Sequence, residues 1–256
     1  ITLPGVRQTN LLWHYRSRHE ALIQFSNHRY YHNRLITFPA PLVNSHSRSL
    51  RCVRVDGIYD RGKTRQNHEE AHEVVRLIDK HLRTYGTSRS LGVITMSTAQ
   101  EQAIRDELQY QRIAGSLSSL TKYNGFLNED ARKPEPFFIK SLERVQGDER
   151  DSIIISVGYG PDAEGRVYQT FGPLVMEGGE RRLNVAVTRA KHDLTLVTSL
   201  EPDDIQLSEE SKPGLVHLKQ YIAYTQQPRL RKREYHAGAE GVFEKAVAHA
   251  LEGLGY

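Results

Sequence analysis

Short apolar runs alternate along this chain with longer stretches that carry apolar residues at helical spacing. Ser152–Gly158 contains the uninterrupted apolar core Ile153–Ile155, and Leu91–Thr95 is similarly apolar. Asn67–Leu82, by contrast, repeats its apolar residues every three or four positions. A strand that is apolar throughout is buried on both faces, and the helices between such strands supply the cover. The alternation therefore predicts an α/β fold, a doubly wound and mostly parallel sheet with helices on both faces.

The remaining elements follow from the same periodicities. We predict further helices over Thr98–Tyr110 and Arg181–Ala190. We predict further strands over Leu50–Asp56, Phe137–Ser141 and Asp193–Ser199. Two stretches rich in Gly, Pro, Ser and Asn, Gly115–Pro136 and Pro161–Gly179, are predicted to be loops. Folds of this class bind ligands at the carboxyl ends of their strands, so we expect the functional site at that edge.

Composition and charge narrow the class of protein. Hydrophobic residues make up 38% and charged residues 26%, which is typical of soluble globular proteins, and the net charge of +4 permits a polyanionic partner. No apolar stretch approaches the roughly 20 residues of a membrane span, and Ile1–Gly5 shows no export signal. The single Cys52 fits a reducing compartment. We therefore expect a cytoplasmic protein without a membrane partner.

A change of composition near Gln226 predicts the domain organisation. We assign residues 1–227 to one domain and residues 228–237, which include the basic stretch Pro228–Arg233, to a linker. Residues 238–256 carry a fresh amphipathic pattern and are predicted to be the first helix of a truncated further domain. A single helix cannot bury its own apolar face, so we expect it to pack on the main domain or to be partly disordered.

The segment Trp13–His19 (WHYRSRH) combines arginines with aromatic rings. Arg16 can present a planar guanidinium to phosphate oxygens, while Tyr15 offers a ring face to a base. The start of a helix with a solvated basic face is the alternative interpretation. Histidines lie in or near this segment at His14, His19, His28 and His32. Their irregular spacing and the lack of Cys or acidic companions favour surface or packing roles, and we predict no metal site.

Two further segments carry polar chemistry next to predicted strands. Glu143–Asp151 (ERVQGDERD) places Gln146 and Glu149 around Gly147, which permits a tight loop, and an ordinary charged turn is the alternative. Gly178–Lys191 (GGERRLNVAVTRAK) sets Arg189 about two turns beyond Arg181 or Arg182. An arginine delivered from a neighbouring domain can stabilise charge on a transferring phosphoryl group. A basic helix with surface ion pairs is the plainer interpretation.

Taken in order, these segments carry a specific resemblance. HYRSRH, GVITMSTAQ (Gly92–Gln100), VQGDERDSIIISVGYGP and RRLNVAVTRAK are similar to the second RecA-like domain of the Upf1-like superfamily 1 helicases, over roughly Leu11–Leu200. The resemblance implies a RecA-like fold in which ATP lies in the cleft between two such domains. It also implies single-stranded nucleic acid as a partner, with DNA favoured.

The resemblance also implies roles for individual residues. Arg16 and Arg189 would reach the γ-phosphate, with Arg189 as the arginine finger. The nucleotide would further be contacted by Gln146, Gly147 and Glu149, and its base by Tyr15. Thr95 and Thr188 would contact the backbone of the nucleic acid. The family often has a proline, an aromatic residue and an arginine after the threonine, and the substitution here of Met96, Ser97 and Thr98 weakens that expectation for the loop.

The active site implied by the resemblance is shared between two domains. We take this chain to lack a GxxxxGK[ST] phosphate loop, so we expect the phosphate cradle and the Mg²⁺-binding carboxylate in the N-terminal RecA-like domain of the same polypeptide. The water-activating base would lie there too. We accordingly expect an ATP-dependent helicase from the full-length protein and no hydrolysis by this chain alone.

Residues 240–256 (EGVFEKAVAHALEGLGY) resemble the opening helix of restriction-endonuclease-like domains, where Glu244 would match an acidic residue. An ordinary amphipathic helix explains the same pattern. Two other functions stay open for the chain as a whole. One is a non-catalytic module of the same fold that binds nucleic acid or docks on a protein, and the other is a nucleotide-binding domain competent on its own.

Overall fold

A computed structural model of the chain describes residues 12–37, 49–129 and 134–226. Its strands are β1 (Trp13–His14), β2 (Ile36–Thr37), β3 (Leu50–Arg54), β4 (Leu91–Thr95), β5 (Phe138–Ser141), β6 (Arg150–Ser156) and β7 (Ala190–Thr198). The last five form the central sheet in the spatial order β3–β7–β6–β4–β5, and every neighbouring pair is parallel. The first two pair with each other in a separate parallel ribbon.

Helices cover both faces of the central sheet. They are α1 (Ala21–Tyr30), α2 (His68–Tyr85), α3 (Thr98–Ala114), α4 (Ser118–Lys122), α5 (Gly179–Val187) and α6 (Pro213–Gln226). One apolar core joins the sheet to α1, α5 and α6, and a second joins its other face to α2, α3 and α4. The predicted α/β fold, a RecA-like parallel sheet with helices on both faces, is confirmed.

The apolar run of β6 shows why this sheet needs two covers. Successive side chains of a strand point to opposite faces, so Ile153 and Ile155 enter the core under α5 and α6. Ile154 enters the core under α2 and α3 instead. All three are almost fully buried. A strand with this pattern is stable only between two layers of helices, which is where the chain places it.

Local signals set where the helices of the second face begin and end. The Asn67 side chain caps α2 by accepting a hydrogen bond from Glu70 N–H at 3.0 Å, and Ser97 caps α3 by accepting from Gln100 N–H at 3.1 Å. Gly115 ends α3 in the left-handed conformation, with φ of 66°. These caps fix the start of α3 directly after the carboxyl end of β4, and the start of α2 after the longer connection that leaves β3.

The structure corrects three predicted boundaries. The helix predicted over Arg181–Ala190 ends at Val187, and Ala190 already begins β7. The predicted loop Gly115–Pro136 contains α4, and the predicted loop Pro161–Gly179 contains a short 3-10 helix over Gly172–Val175. Each of these two helices is only about one turn long, too short to show a period in the sequence. The longer helices α1 and α6 were not predicted either.

The predicted linker at residues 228–237, the predicted helix at 238–256 and Glu244 lie outside the described residues. Within those residues, no helix is both long and apolar enough to cross a membrane.

Candidate active site

Loops that precede the strands bring three of the predicted site residues together. Glu149 stands immediately before β6, Arg189 immediately before β7, and Arg16 lies between β1 and α1. The loop with Arg16 is fastened to the start of β7, because Arg18 N–H donates to the Lys191 carbonyl at 2.7 Å. The cluster therefore lies at the amino ends of the strands. The expectation that these residues would lie at the carboxyl edge was wrong.

Arg16 and Glu149 form the ion pair at the centre of this cluster. Arg16 Nε donates to Glu149 Oε2 at 2.5 Å, and Arg16 Nη1 lies 3.4 Å from the Thr188 carbonyl oxygen. The hydrogen bond from Arg16 and its positive charge hold the pKa of the Glu149 carboxyl below its usual value. Glu149 is thus an ionised anchor that orients the Arg16 guanidinium.

Arg189 lies beside this pair and is held by neutral oxygen atoms. Its Nε donates to the Val185 carbonyl at 2.7 Å and its Nη2 to Thr188 Oγ1 at 3.2 Å. Among the residues that the structure describes, no carboxylate forms an ion pair with it. Burial, followed by the positive charge of Arg16, lowers the pKa of the Arg189 guanidinium. Of the two neighbouring guanidinium groups, only Arg16 is paired with a carboxylate, so the positive charge of Arg189 is not offset by an ion pair.

A cleft of about 760 Å³ opens next to the two arginines. Half of its lining residues are apolar or aromatic, namely Leu12, Trp13, Ile23, Tyr30, Tyr31 and Leu35. The other half are polar, namely His14, Arg16, His32, Arg34, Thr188 and Arg189. Trp13 and Tyr31 keep 49% and 40% of their surface exposed, so both rings are accessible from solvent. Apolar and aromatic side chains beside convergent polar groups suit a molecule that has a flat ring and an anionic end.

His14, for which only a surface or packing role was predicted, also lines the cleft. Its Nε2 accepts a hydrogen bond from Ser17 N–H at 3.1 Å, which requires that nitrogen to be unprotonated. Burial, and then the charges of Arg16 and Arg189, lower the His14 pKa to about 4. His14 is therefore neutral at pH 7 and adds no charge to the cleft.

Other predicted nucleotide contacts stand apart from the cleft. Tyr15 is 75% exposed, and neither it nor Gln146 or Gly147 lines the cleft. Gly147 adopts φ of 90°, a conformation that favours glycine, so the loop before β6 turns sharply there. Their proposed contacts with base and ribose remain predictions that depend on a second domain.

The two predicted nucleic-acid contacts lie at opposite edges of the sheet. Thr95 is the last residue of β4, is fully buried, and donates its hydroxyl to the Ser97 carbonyl at 2.8 Å. Thr188 follows α5 at the amino edge, is also buried, and donates to the Asn184 carbonyl at 2.8 Å. The structure does not bring Thr95 and Thr188 onto one surface.

A lysine extends the charged cluster beyond the predicted residues. Lys191 lies 3.4 Å from Glu149 Oε1 and also pairs with Glu135. Burial favours a lower pKa for Lys191, but the two carboxylates outweigh it and the pKa is raised. Glu149 is therefore held from two sides, by Arg16 and by Lys191. Lys191 is the last residue of the segment RRLNVAVTRAK, so it was within the predicted segment although no role was assigned to it.

The letters of a phosphate loop do occur in this chain, and the expectation of none was wrong. Gly57–Thr64 (GIYDRGKT) fits GxxxxGK[ST] and lies between β3 and α2. In a phosphate loop the lysine and threonine open the helix, and the backbone N–H groups face the phosphates. Here α2 begins only at His68. The Asp60 carboxylate accepts hydrogen bonds from Thr64 N–H at 3.2 Å and Thr64 Oγ1 at 2.9 Å. A carboxylate thus occupies the donors that a phosphate requires.

Comparison with known proteins decides the family. A family model described as an AAA domain matches residues 5–201, well over half of the chain. The chain belongs to this family. An uncharacterized ATP-dependent helicase, MG140 of Mycoplasma genitalium, is 35% identical over 222 residues, which cover 84% of this chain. Regulator of nonsense transcripts 1 of Caenorhabditis elegans is 26% identical over 210 residues, which cover 77% of this chain.

These relatives confirm the resemblance to the second RecA-like domain of the Upf1-like superfamily 1 helicases. The AAA-domain chain spans only 18% of the length of MG140 and 17% of the nematode protein. A solved structure, the C-terminal domain of a possible DNA helicase from Lactobacillus plantarum WCFS1, covers 81% of this chain and 96% of its own at 15% identity. Its TM-score of 0.35 is too low to establish a shared fold.

Proposed function

We propose that this chain is the second motor domain of an ATP-dependent superfamily 1 helicase or translocase, and that it supplies the arginine finger of a composite ATP site. One observation carries the proposal: Arg16 and Arg189 both line one cleft, and only Arg16 is paired with a carboxylate, Glu149. The positive charge of Arg189 beside apolar and aromatic side chains matches a nucleotide, whose ring is flat and whose phosphates are anionic. The helicase names of the relatives support the same assignment.

Arg189 takes the role of the finger because of how it is held. Its bonds to Val185 and Thr188 oxygens are made to neutral groups, so a phosphate can replace them without breaking an ion pair. Arg16 is fixed by Glu149 and is suited to hold a phosphate oxygen in the ground state. ATP would supply the phosphoryl group and Mg²⁺ would neutralise its charge. We assign the Mg²⁺ ligands and the phosphate cradle to an N-terminal RecA-like domain of the full-length protein.

We propose single-stranded nucleic acid as the second ligand, with DNA favoured over RNA. Thr95 and Thr188 remain the contacts expected from the resemblance. Because both hydroxyls already donate within the domain, these threonines would contribute only if their local hydrogen bonds rearranged.

The finger assignment predicts a specific loss of activity. In the full-length protein Arg189→Ala should lower nucleic-acid-stimulated ATP hydrolysis by about 10³-fold or more, since an arginine finger contributes roughly 10³–10⁵ in rate. Arg181→Ala is the matched control, because this arginine lies on α5 with its side chain 87% exposed and away from the cleft. Hydrolysis rates should be measured alongside unfolding curves. Near-normal hydrolysis by a folded Arg189→Ala protein would exclude the finger.

The non-catalytic module makes the opposite prediction. A protein that only binds nucleic acid or docks on a partner would show no nucleotide hydrolysis to lose, and no phosphate loop with an acidic Mg²⁺ motif upstream in the same polypeptide. A nucleotide-binding domain competent on its own would bind a labelled ATP analogue tightly through this chain alone. The blocked donors of the Gly57–Thr64 loop argue against that outcome.

A further inference from the structure

A cationic turn at the carboxyl edge of the sheet has no role in the cleft. It covers residues 59–67 between β3 and α2, and exposes Arg61, Lys63 and Arg65. None of the three forms an ion pair with a carboxylate among the described residues, although acidic groups lie nearby. Asp60 is engaged by Thr64, and Asp56 by Arg54 at 2.9 Å. The three cations of this turn are therefore exposed, form no ion pair, and outnumber its one carboxylate, Asp60, which lies close enough for the charge of Lys63 to act on it.

The turn is rigidly built. Asp60 N–H donates to the Gln66 carbonyl at 3.0 Å, and Arg65 N–H donates to the Asp60 carbonyl at 2.7 Å. Arg65 adopts φ of 57°, which non-glycine residues rarely do, so the surrounding bonds rather than its own preference fix the backbone. The Arg61 guanidinium lies 3.8 Å from the centroid of the Tyr168 ring, which fixes its direction while leaving its N–H groups free.

The anchors of the turn place it on a defined surface. Gln66 Nε2 donates to the Ala99 carbonyl at 3.2 Å, at the start of α3, and Tyr59 N–H donates to the Pro161 carbonyl at 2.8 Å, beyond the end of β6. Both anchors follow carboxyl ends of strands. The turn thus lies at the edge of the sheet opposite to the one that carries Arg16 and Arg189, where it cannot reach a nucleotide in the cleft.

We propose that Arg61, Lys63 and Arg65 grip the phosphate backbone of single-stranded nucleic acid. Exposed lysines and arginines that are not committed to an ion pair are the groups that neutralise backbone phosphates, and such contacts bind without regard to sequence. At the same edge, Thr98 at the start of α3 is exposed beside the turn, next to Ala99, to which Gln66 is bonded. The inference rests on the proposed function, which supplies the expectation that this domain binds a nucleic-acid strand. The turn provides exposed cations for that strand, which the buried Thr95 and Thr188 cannot provide.

The test uses the full-length protein with the paired substitution Lys63→Gln/Arg65→Gln. Neither side chain forms any of the hydrogen bonds described in the turn, so the fold should persist, as unfolding curves will show. The control, Lys80→Gln/Lys122→Gln, removes the same charge from exposed lysines late in α2 and at the end of α4. Binding of labelled oligo(dT) should be measured between 50 and 200 mM salt, with about 0.7 in salt slope expected per contact on a single strand.

We expect the paired variant to bind oligo(dT) on the order of tenfold more weakly at 0.1 M salt, with a salt slope smaller by about 1.4, and the control to match the parent. A mixed-sequence strand should show the same loss. Parent-like affinity and slope in the paired variant would overturn the inference while leaving the proposed function standing. Weaker binding of an ATP analogue without DNA, together with unchanged oligo(dT) affinity, would make the turn a nucleotide phosphate loop and overturn it too. If the unmodified protein binds no strand, the proposed function fails first.

Discussion

At the scale of the residue, the cleft depends on unequal partners for two similar side chains. Arg16 is fixed by an ionised Glu149, whereas Arg189 is held by carbonyl and hydroxyl oxygens. A guanidinium in an ion pair loses more when it moves than one bonded to neutral oxygens. This difference supports the separate roles proposed for the two arginines, with Arg16 as a fixed phosphate contact and Arg189 as a group free to follow the transferring phosphoryl.

His14 offers a pH test of the same cluster. Its folded pKa of about 4 lies below the ordinary value of 6.5, because of burial and the charges of Arg16 and Arg189. Below pH 6.5, His14 therefore binds a proton in the unfolded chain but not in the folded chain. The free energy of unfolding accordingly falls as the pH drops toward 4. His14→Gln keeps an acceptor for Ser17 N–H but cannot titrate.

The parent protein should lose unfolding free energy between pH 7 and pH 4.5, and we expect this loss to be about 1–2 kcal/mol smaller in His14→Gln. The difference is smaller than the full pKa shift of His14 would give, because solvent screens a partly exposed ring. Chemical denaturation at a series of pH values measures it. His28→Gln, at an exposed position on α1, serves as the control. Identical pH profiles for His14→Gln and the parent would mean that His14 is not held neutral.

The order of residue types was enough to assign Arg16, Glu149 and Arg189 to one predicted site, and the structure places the three residues close together. They were not enough to predict exposure: Thr95 completes a strand buried on both faces, and only the assembled sheet shows that its hydroxyl is already used. The letters of Gly57–Thr64 mislead in the other direction. A sequence motif binds phosphate only where its donors are free, and here the Asp60 carboxylate accepts hydrogen bonds from the N–H and hydroxyl of Thr64.

At the scale of the element, each edge of the sheet has its own set of loops. Loops that enter β6 and β7 carry Glu149 and Arg189, while the turn that leaves β3 carries the exposed cations. The sheet keeps these sets apart by the length of its strands, roughly 3.3 Å per residue. The proposed nucleotide and the proposed nucleic-acid strand could therefore bind the domain at the same time. A rigid-body movement of the sheet would then displace the contacts of both ligands.

Close packing of neighbouring strands gives a stability prediction. A Cβ added at Gly92 in β4 would lie 2.4 Å from the Phe138 ring and 3.0 Å from Ile153 Cδ1. Gly92→Ala should therefore lower the free energy of unfolding by about 1–3 kcal/mol through overpacking. Gly125→Ala, where nothing lies within 4 Å, should stay close to the parent. Equal stability of both variants in urea denaturation would show that β4 and β5 are packed less tightly than described.

The sequence predicted the central strands well because burial on both faces leaves an uninterrupted apolar run. It failed where one sequence suits two structures: Val185 and Val187 fit a helix face or a strand equally. Only the docking of β7 between β3 and β6 makes the chain leave the helix after Val187. The helix α6 lies beyond residues 5–201 of the family match, yet Leu218 and Ile222 complete the core on its face of the sheet.

For the molecule as a whole, the proposed function makes this chain one wall of a site, with Arg16 and Arg189 as its phosphate contacts. No described group of three or more His, Cys, Asp or Glu side chains is placed to hold a metal ion. Catalysis of phosphoryl transfer requires charge stabilisation at both ends of the reacting group. In the proposed function, ATP hydrolysis therefore takes place at the interface between two RecA-like domains. This domain would stabilise the transition state of the reaction more than it increases the affinity for ATP.

The most direct test separates those two contributions in the full-length protein. The affinity for ADP alone is compared with the affinity for ADP plus aluminium fluoride, which mimics the phosphoryl group in transit, in the parent and in Arg189→Ala. Because a finger acts on charge that develops only in the transition state, the account predicts a loss of about 10³-fold for the mimic and only a few-fold change for ADP. Equal, small losses for both ligands would contradict it.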